Sequence, residues 1–594
     1  MLPADGLGLQ SLRAAYAAGA TPRAVVGALL DRIAARGGDG VWIGGALAER
    51  ALAAAERLET ADPSALPLYG VPFAAKDNID VAGVPTTAAC PDFAYTPSAS
   101  APVVERLEAA GAVLIGKANL DQFATGLSGC RSPYGVPPNA LAPGMIPGGS
   151  SSGSATAVAA GLVSFALGTD TAGSGRVPAM LQNLVGLKPS RGLISARGVV
   201  PACRTLDCVS VFALSCADAA AVLGVAEGFD PADAYARPRG AGRPAVVRLG
   251  APRPDQLFFD GDVAAAALFE ETVARAKALG FEVETVDIAP FLDAAKLLYE
   301  GPWVAERTAA IRGLLETRPE ILHPVIREIV GGGLAPTAVD AFDGAYRLEA
   351  LRRETEPVWT RVDALLLPTA PTAYTVEAML ADPIALNARL GRYTNFMNLL
   401  DLCGVAVPAG FLPSGAGFGV TLAAPAFAEA ALLAAGDALH RAAGTGAGAE
   451  RAPLPPAAPA APERFRLVVC GAHMRGLPLS GELAALGARF VREATTTPEY
   501  RLFALPGEGV ARPGLVRVAA GASEGAAVAV EVWDIAEEAV GALMTRIPAP
   551  LGLGPVRLAD GATHAGFLCE AAAAADARDI TDFGGWRAFL AARL

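Results

Sequence analysis

Two short runs carry residue types suited to acyl transfer: Gly148-Gly149-Ser150-Ser151-Ser152-Gly153-Ser154 and Gly168-Thr169-Asp170-Thr171-Ala172-Gly173-Ser174-Gly175-Arg176. Between Arg131 and Asp170 there is no charged residue, while hydroxyls are dense and glycines let a backbone approach a neighbour closely. Together these features predict a buried polar site. Ser154 to Ala160 reads as a short helix and Leu162 to Leu167 as a short strand. The first serine run then sits at a helix N-terminus, where N–H donors are free, and Ser174 sits in the loop past a strand. Thr171-Ala172-Gly173-Ser174 is a turn of small residues whose N–H groups can converge on one oxygen, an oxyanion hole beside a hydroxyl nucleophile.

A serine nucleophile needs a base. The four histidines, His323, His440, His473 and His564, all lie far from these runs in sequence. A lysine serves if burial keeps it neutral, and Lys76 closes the apolar stretch Val71-Pro-Phe-Ala-Ala-Lys76. A phosphate loop is excluded by the lack of a Gly-Lys-Ser/Thr ending. The strand-turn-helix elbow of α/β-hydrolases needs a strand before the serine, where this chain has a segment broken by Pro137, Pro138, Pro143 and Pro147.

In order and spacing, Lys76 and the two Gly/Ser runs resemble the three signature blocks of the amidase signature family. That resemblance implies a catalytic set of Lys76, Ser150 held by a cis peptide, and nucleophilic Ser174, with the N–H groups of Thr171, Ala172, Gly173 and Ser174 as oxyanion hole. Asp170 and Arg176 are read as organisers of the signature loops. Asn119-Leu-Asp-Gln-Phe-Ala-Thr-Gly126, Arg131-Ser-Pro-Tyr134 and Thr205-Leu-Asp-Cys-Val-Ser-Val-Phe-Ala213 resemble the allophanate hydrolase branch of that family. The likeness implies a substrate region at Gly126, Tyr299 and Arg307, the last two meeting the carboxylate and urea-like end of allophanate (urea-1-carboxylate). On one helix Tyr299 and Arg307 lie about 80° apart, with Gly301-Pro302 as a bend between them. The implied reaction is amide hydrolysis releasing ammonia and, after decarboxylation of the first product, carbon dioxide. Alternatives are another small amide, such as carboxybiuret, a malonamate-like compound or glutamine, or a non-catalytic scaffold, which has no need to keep all three catalytic residues.

Alternating helix and strand patterns before residue 444 indicate an α/β fold. The resemblance makes it an amidase signature fold, a large mixed β-sheet core covered by helices, with a smaller C-terminal α+β domain. The expected boundaries are 1–443, a Pro/Ala/Gly linker at 444–463, and 464–594. In the second domain, strands are expected at 465–470, 500–505, 516–519 and 526–533, with a helix at 536–544. This part resembles the C-terminal domain of allophanate hydrolases, similar in fold to γ-glutamylcyclotransferases. Its opening Val469-Cys-Gly-Ala-His473 departs from the cyclotransferase Tyr-Gly-Ser pattern, which puts that activity in doubt. His473 is a second candidate site, and Glu531 falls near the position of the cyclotransferase acid.

A net charge of −12 with no basic run disfavours nucleic-acid binding. Uncharged stretches are broken by Pro and Gly before reaching spanning length, so no membrane span is expected. Eight cysteines without Cys-x-x-Cys spacing suggest neither a metal site nor a disulfide framework. No cofactor is expected. The N-terminus lacks a basic region and an apolar region like those of a secretory signal, and a cytoplasmic location is the default expectation. A homodimer or higher homo-oligomer is expected.

Overall fold

The computed structural model describes residues 2–3, 6–240, 242–456, 464–507, 509–519 and 521–592, in two compact units, 1–456 and 457–594. The first unit is built on an eleven-stranded mixed sheet. Its strands are β1 (Trp42–Ala46), β2 (Pro72–Lys76), β3 (Val113–Ala118), β4 (Phe165–Asp170), β5 (Val185–Lys188), β6 (Cys208–Ala213), β7 (Arg248–Pro252), β8 (Glu282–Val286), β9 (Ala364–Pro368), β10 (Leu402–Phe411) and β11 (Gly417–Pro425). They lie in the order β1-β3-β2-β4-β6-β5-β10-β11-β9-β7-β8.

β3, β2 and β4 are adjacent and parallel, and every residue in them is buried. Strands covered on both faces read as near-continuous runs of apolar and small residues, as Pro-Phe-Ala-Ala does before Lys76. All three release the chain at the same sheet edge: Lys76 ends β2, Asn119 to Asp121 follow β3, and Thr171 to Arg176 follow β4. The carboxyl edge of parallel strands is where open α/β sheets gather ligand-binding loops.

The helix expected at Ser154 to Ala160 runs Ser152–Ala159 and is wholly buried, which its small side chains permit. The strand expected at Leu162 to Leu167 is displaced: β4 begins at Phe165, and its last residues Gly168, Thr169 and Asp170 pair with Ser210, Val209 and Cys208 of β6. The start of the second signature run is therefore strand rather than loop. The segment from Pro244 to Asp287 forms the expected strand, helix and strand, with Asp262 capping the helix Val263–Ala278 by accepting the Ala264 and Ala265 N–H groups.

The linker expectation needs correction over 444–456, which belong to the first unit. Asn183 Nδ2 donates to the Gly448 carbonyl (3.0 Å), Gly448 N–H donates back to the Asn183 carbonyl (2.9 Å), and Ala449 N–H donates to the Ala159 carbonyl (2.9 Å). A composition unable to form helix or strand is here anchored by backbone hydrogen bonds to a folded surface. Residues 457–463 lie outside the described residues.

The second unit contains β12 (Arg464–Val469), β13 (Arg489–Thr495), β14 (Tyr500–Ala504), β15 (Pro513–Arg517), β16 (Ala529–Ala536), β17 (Leu551–Arg557), β18 (Thr563–Cys569) and β19 (Arg578–Asp579). They form a five-stranded sheet, β13-β16-β12-β18-β17, and a three-stranded sheet, β15-β14-β19. The four expected strands fall on β12, β14, β15 and β16, and the helix is Glu537–Met544. β13, β17, β18 and β19 go beyond the expected set: β13 is exposed at alternate positions and β17 carries Gly552, Gly554 and Pro555, residues depleted in strands. Among the described residues, no helix is long and apolar enough to cross a membrane.

Candidate active site

Lys76, at the end of β2, is fully buried, and its Nζ lies 2.7 Å from both Ser150 Oγ and Thr169 Oγ1. Burial pushes the ammonium down to about 7, against the carboxylates of Asp121, Asp207 and Asp170, which pull it back up. A large share of Lys76 is thus neutral near pH 7, as a general base requires. Two other serines of the run serve the scaffold: Ser151 Oγ donates to the Thr169 carbonyl (3.2 Å) and Ser154 Oγ to the Leu167 carbonyl (2.9 Å). The Gly149–Ser150 peptide bond is cis. A Cβ on Gly149 would sit 2.1 Å from Asp121 Oδ2, so no larger residue fits beside Ser150.

Ser174 lies in the turn after β4 and is 2% exposed. Its Oγ makes one long contact, donating to the Gly126 carbonyl oxygen at 3.4 Å. Among the described residues, the N–H groups of Thr171, Ala172, Gly173 and Ser174 donate to no protein acceptor, while the next, Gly175 N–H, donates to Asp170 Oδ2 (3.1 Å). Four consecutive unsatisfied donors beside a hydroxyl are the required equipment for an oxyanion. The turn is fixed from both sides. Asp170 and Arg176, both fully buried, pair through two hydrogen bonds (Nε to Oδ2 2.8 Å, Nη2 to Oδ1 2.9 Å), and the arginine holds the Asp170 carboxyl below its ordinary value although burial pushes it up. Thr171 Oγ1 donates to Asp207 Oδ1 (2.5 Å).

Gly173 has φ +143°, and a Cβ there would meet Thr394 Oγ1 at 2.4 Å. Gly173→Ala is therefore expected to tilt the donor turn and lower kcat by about 100-fold or more, the size of losing one oxyanion donor. Its thermal midpoint should fall only modestly, as measured by melting and ammonia release on the same preparation.

Tyr299 and Arg307 occupy two successive helices rather than one bent helix. Ala289–Glu300 ends at Gly301, and Trp303–Thr317 starts anew with Pro302 as its N-cap. They still meet, with Arg307 Cζ 5.1 Å from the centre of the Tyr299 ring. Arg307 is 2% exposed; its Nη1 donates to Thr125 Oγ1 (3.1 Å), while Nε and Nη2 are buried without a partner. A buried guanidinium with two free donors is poised to take an anion. Thr125 and Gly126 are consecutive, so one short strip touches both Arg307 and Ser174.

Thr169, Asp121, Thr125 and Asp207 join the site without having stood out as site residues in the sequence. Asp121 Oδ1 and Oδ2 accept the Arg131 and Gly129 N–H groups (2.8 and 3.0 Å), and its own N–H donates to the Ser150 carbonyl (3.0 Å). The available signal for three of them is their place inside the runs Asn119 to Gly126 (Asp121 and Thr125) and Thr205 to Ala213 (Asp207).

In the second unit, His473 stacks on Phe567 (5.0 Å between ring centres) with Nε2 3.3 Å from Glu482 Oε2. It lines a cavity together with Glu482, Arg512 and Arg546. Glu531 is committed elsewhere, accepting from Arg475 N–H (2.9 Å), Trp533 Nε1 (3.0 Å) and Arg587 Nη2 (2.8 Å). It is a structural carboxylate rather than an acid facing a ligand. Among the described residues, no group of three or more His, Cys, Asp or Glu side chains is placed to hold a metal ion.

The allophanate hydrolase C-terminal domain family matches residues 465–591. Urea amidolyase from Saccharomyces cerevisiae is 42% identical over 546 residues, covering 88% of this chain but only 30% of that protein, so the chain spans less than a third of the urea amidolyases it matches. A glutamyl-tRNA(Gln) amidotransferase chain from Symbiobacterium thermophilum is 37% identical over 421 residues, 65% of this chain and 85% of that one. Among solved structures, allophanate hydrolase from Kluyveromyces lactis superposes with a TM-score of 0.74 at 37% identity, covering 99% of both chains. The Amidase family matches residues 24–433, the span that carries Lys76, Ser150 and Ser174, and the chain belongs to that family.

Proposed function

We propose that this chain hydrolyses allophanate, with Lys76, Ser150 and Ser174 as the proton relay and nucleophile and Arg307 with Tyr299 holding the substrate's carboxylate. The observation that carries this reading is Arg307, buried with two donors free and tied through Thr125 to the strip that touches Ser174. Allophanate has one nitrogen between its carboxylate carbon and its reacting amide carbonyl, a spacing suited to an anion seat set beside the nucleophile. The likeness to an allophanate hydrolase over nearly the whole of both chains supports the same choice.

Neutral Lys76 accepts the Ser150 proton as Ser150 accepts the Ser174 proton and Ser174 Oγ bonds to the amide carbon. The Ser174 hydroxyl must turn from the Gly126 carbonyl toward Ser150 for this step. The carbonyl oxygen gains negative charge among the N–H groups of 171 to 174, each good donor being worth about 3 kcal/mol. Collapse of the tetrahedral adduct breaks the carbon–nitrogen bond, and ammonia leaves with the relayed proton. Water, deprotonated by the same relay, then cleaves the acyl-serine ester and gives N-carboxycarbamate. That product goes on to ammonia and carbon dioxide. The cavity holding His473, with Arg512 and Arg546 to meet a dianion, is the candidate place for assistance to the decarboxylation. A cytoplasmic setting and a homodimeric or higher assembly belong to the same proposal.

Arg307→Gln tests the anion seat. Losing a buried, charge-assisted partner costs about 2–5 kcal/mol, so KM for allophanate should rise by about 100-fold, while KM for neutral biuret changes little. Equal losses on both amides, measured as initial rates of ammonia release, would remove the carboxylate from the reading.

A further inference from the structure

The segment 121–131 hydrogen-bonds to the Gly149–Ser150 strip, to Ser174 and to Arg307. Asp121 N–H donates to the Ser150 carbonyl (3.0 Å), and Gly149 N–H donates to the Leu127 carbonyl (2.8 Å). Thr125 Oγ1 accepts from Arg307, and the Gly126 carbonyl accepts from Ser174. The segment is closed on itself at its ends: Arg131 N–H donates to Asp121 Oδ1 (2.8 Å), and Gln122 N–H donates to the Arg131 carbonyl (2.8 Å).

The side chain of Arg131 adds a strap across this loop. It is 2% exposed, its Nη1 donates to the Thr125 carbonyl (2.9 Å) and its Nη2 to the Pro383 carbonyl (2.5 Å), and it makes no ion pair among the described residues. A buried guanidinium that donates through both terminal nitrogens to carbonyls of distant segments, its Nε left without a partner, fixes their spacing because its donors form a rigid planar fork. The neighbouring Asn387 reinforces the same join, its Oδ1 accepting the Leu127 N–H (2.8 Å).

We propose that Arg131 is a positioning residue that sets the Thr125–Gly126 strip and so holds the Ser174 nucleophile and the Arg307 anion seat at one working separation. It acts through Thr125 and touches no reacting atom. For its substrate terms the inference rests on the allophanate reading; its effect on Ser174 does not.

The test compares Arg131→Gln, Arg131→Lys and Arg307→Gln in the full-length chain, using steady-state ammonia release from allophanate and biuret and the rate of Ser174 labelling by a fluorophosphonate. Misplacing a reacting group by about 1 Å costs about 100-fold. Arg131→Gln should lower kcat on both amides by about 30-fold to 100-fold, raise KM for allophanate about tenfold, and slow labelling about tenfold or more. Arg307→Gln, which removes the anion seat itself, should raise KM for allophanate by more than Arg131→Gln does, about 100-fold. Arg131→Lys keeps the charge but loses the fork and should resemble Arg131→Gln; it supplies the same comparison if the glutamine variant does not fold. Wild-type labelling in a folded Arg131 variant, or full rescue by lysine, would overturn the proposal. Labelling that follows the prediction in a protein inert on allophanate would sink the substrate reading alone.

Discussion

Ser174→Ala is expected to lower kcat for amide hydrolysis by about a millionfold while leaving the protein folded and able to bind substrate. Removing the nucleophile of a serine hydrolase leaves only catalysis by the oxyanion donors and by binding. Here the donors come from the backbone of Thr171 to Ser174, which alanine keeps, so the residual rate should exceed the uncatalysed one. The substitution removes a hydroxyl whose one hydrogen bond among the described residues is the 3.4 Å approach to the Gly126 carbonyl, so stability should hardly change. KM on the residual activity should stay within a few-fold of wild type, because the anion seat at Arg307 is untouched. A drop of less than about 100-fold would mean that another group is the nucleophile.

Lys76→Met should be nearly as damaging, with a loss of about 10⁴-fold or more, and should change the pH dependence as well as the rate. In the proposed mechanism Lys76 works as a base only when neutral, and burial holds its pKa down to about 7. kcat/KM should therefore rise about tenfold per pH unit below that value and level off above it. The methionine variant should lose this limb. In the methionine variant stability should move in the opposite direction to activity. The folded pKa of Lys76 lies below that of the unfolded chain, so between about 7 and the ordinary lysine value the unfolded chain carries a proton that the folded one does not. The burial penalty is full below about pH 7 and fades as pH rises toward that ordinary value. Methionine, similar in size and uncharged, escapes the penalty, so its thermal midpoint should exceed that of wild type, most clearly at pH 7 and below. A flat wild-type profile from about pH 6 to 9, or a methionine variant with wild-type activity, would exclude Lys76 as the base.

The chemistry of the first unit was legible because glycines, serines and one lysine have few alternative uses in an uncharged run. Small residues forced by close approach, such as Gly149 against Asp121, leave a mark on sequence that a surface loop does not. Side chains that act by touching a catalytic group were less visible. Thr169 looks like loop filler until β4 is seen to extend to Asp170 and place its hydroxyl on Lys76. The pairing of Tyr299 with Arg307 assumes one bent helix when read from sequence; the two side chains meet instead because two helices joined at Gly301-Pro302 bring the same faces together. In the second unit, glycine-bearing β17 and half-exposed β13 lack the apolar alternation that marks a strand, and β13 pairs with β16 from distant sequence. The segment 444–456 looks like a spacer, yet hydrogen bonds to Asn183, Ala159 and Arg441 and the packing of Ala447 tie it to the first unit.

The most direct test is ammonia release by the purified protein on allophanate, with biuret, malonamate and glutamine alongside and Ser174→Ala as the control. Rapid release from allophanate is expected, with slow release from the other three and a rate about a millionfold lower in the variant. Preference for glutamine or biuret would contradict the anion seat at Arg307, and release from allophanate that persists in Ser174→Ala would contradict the nucleophile.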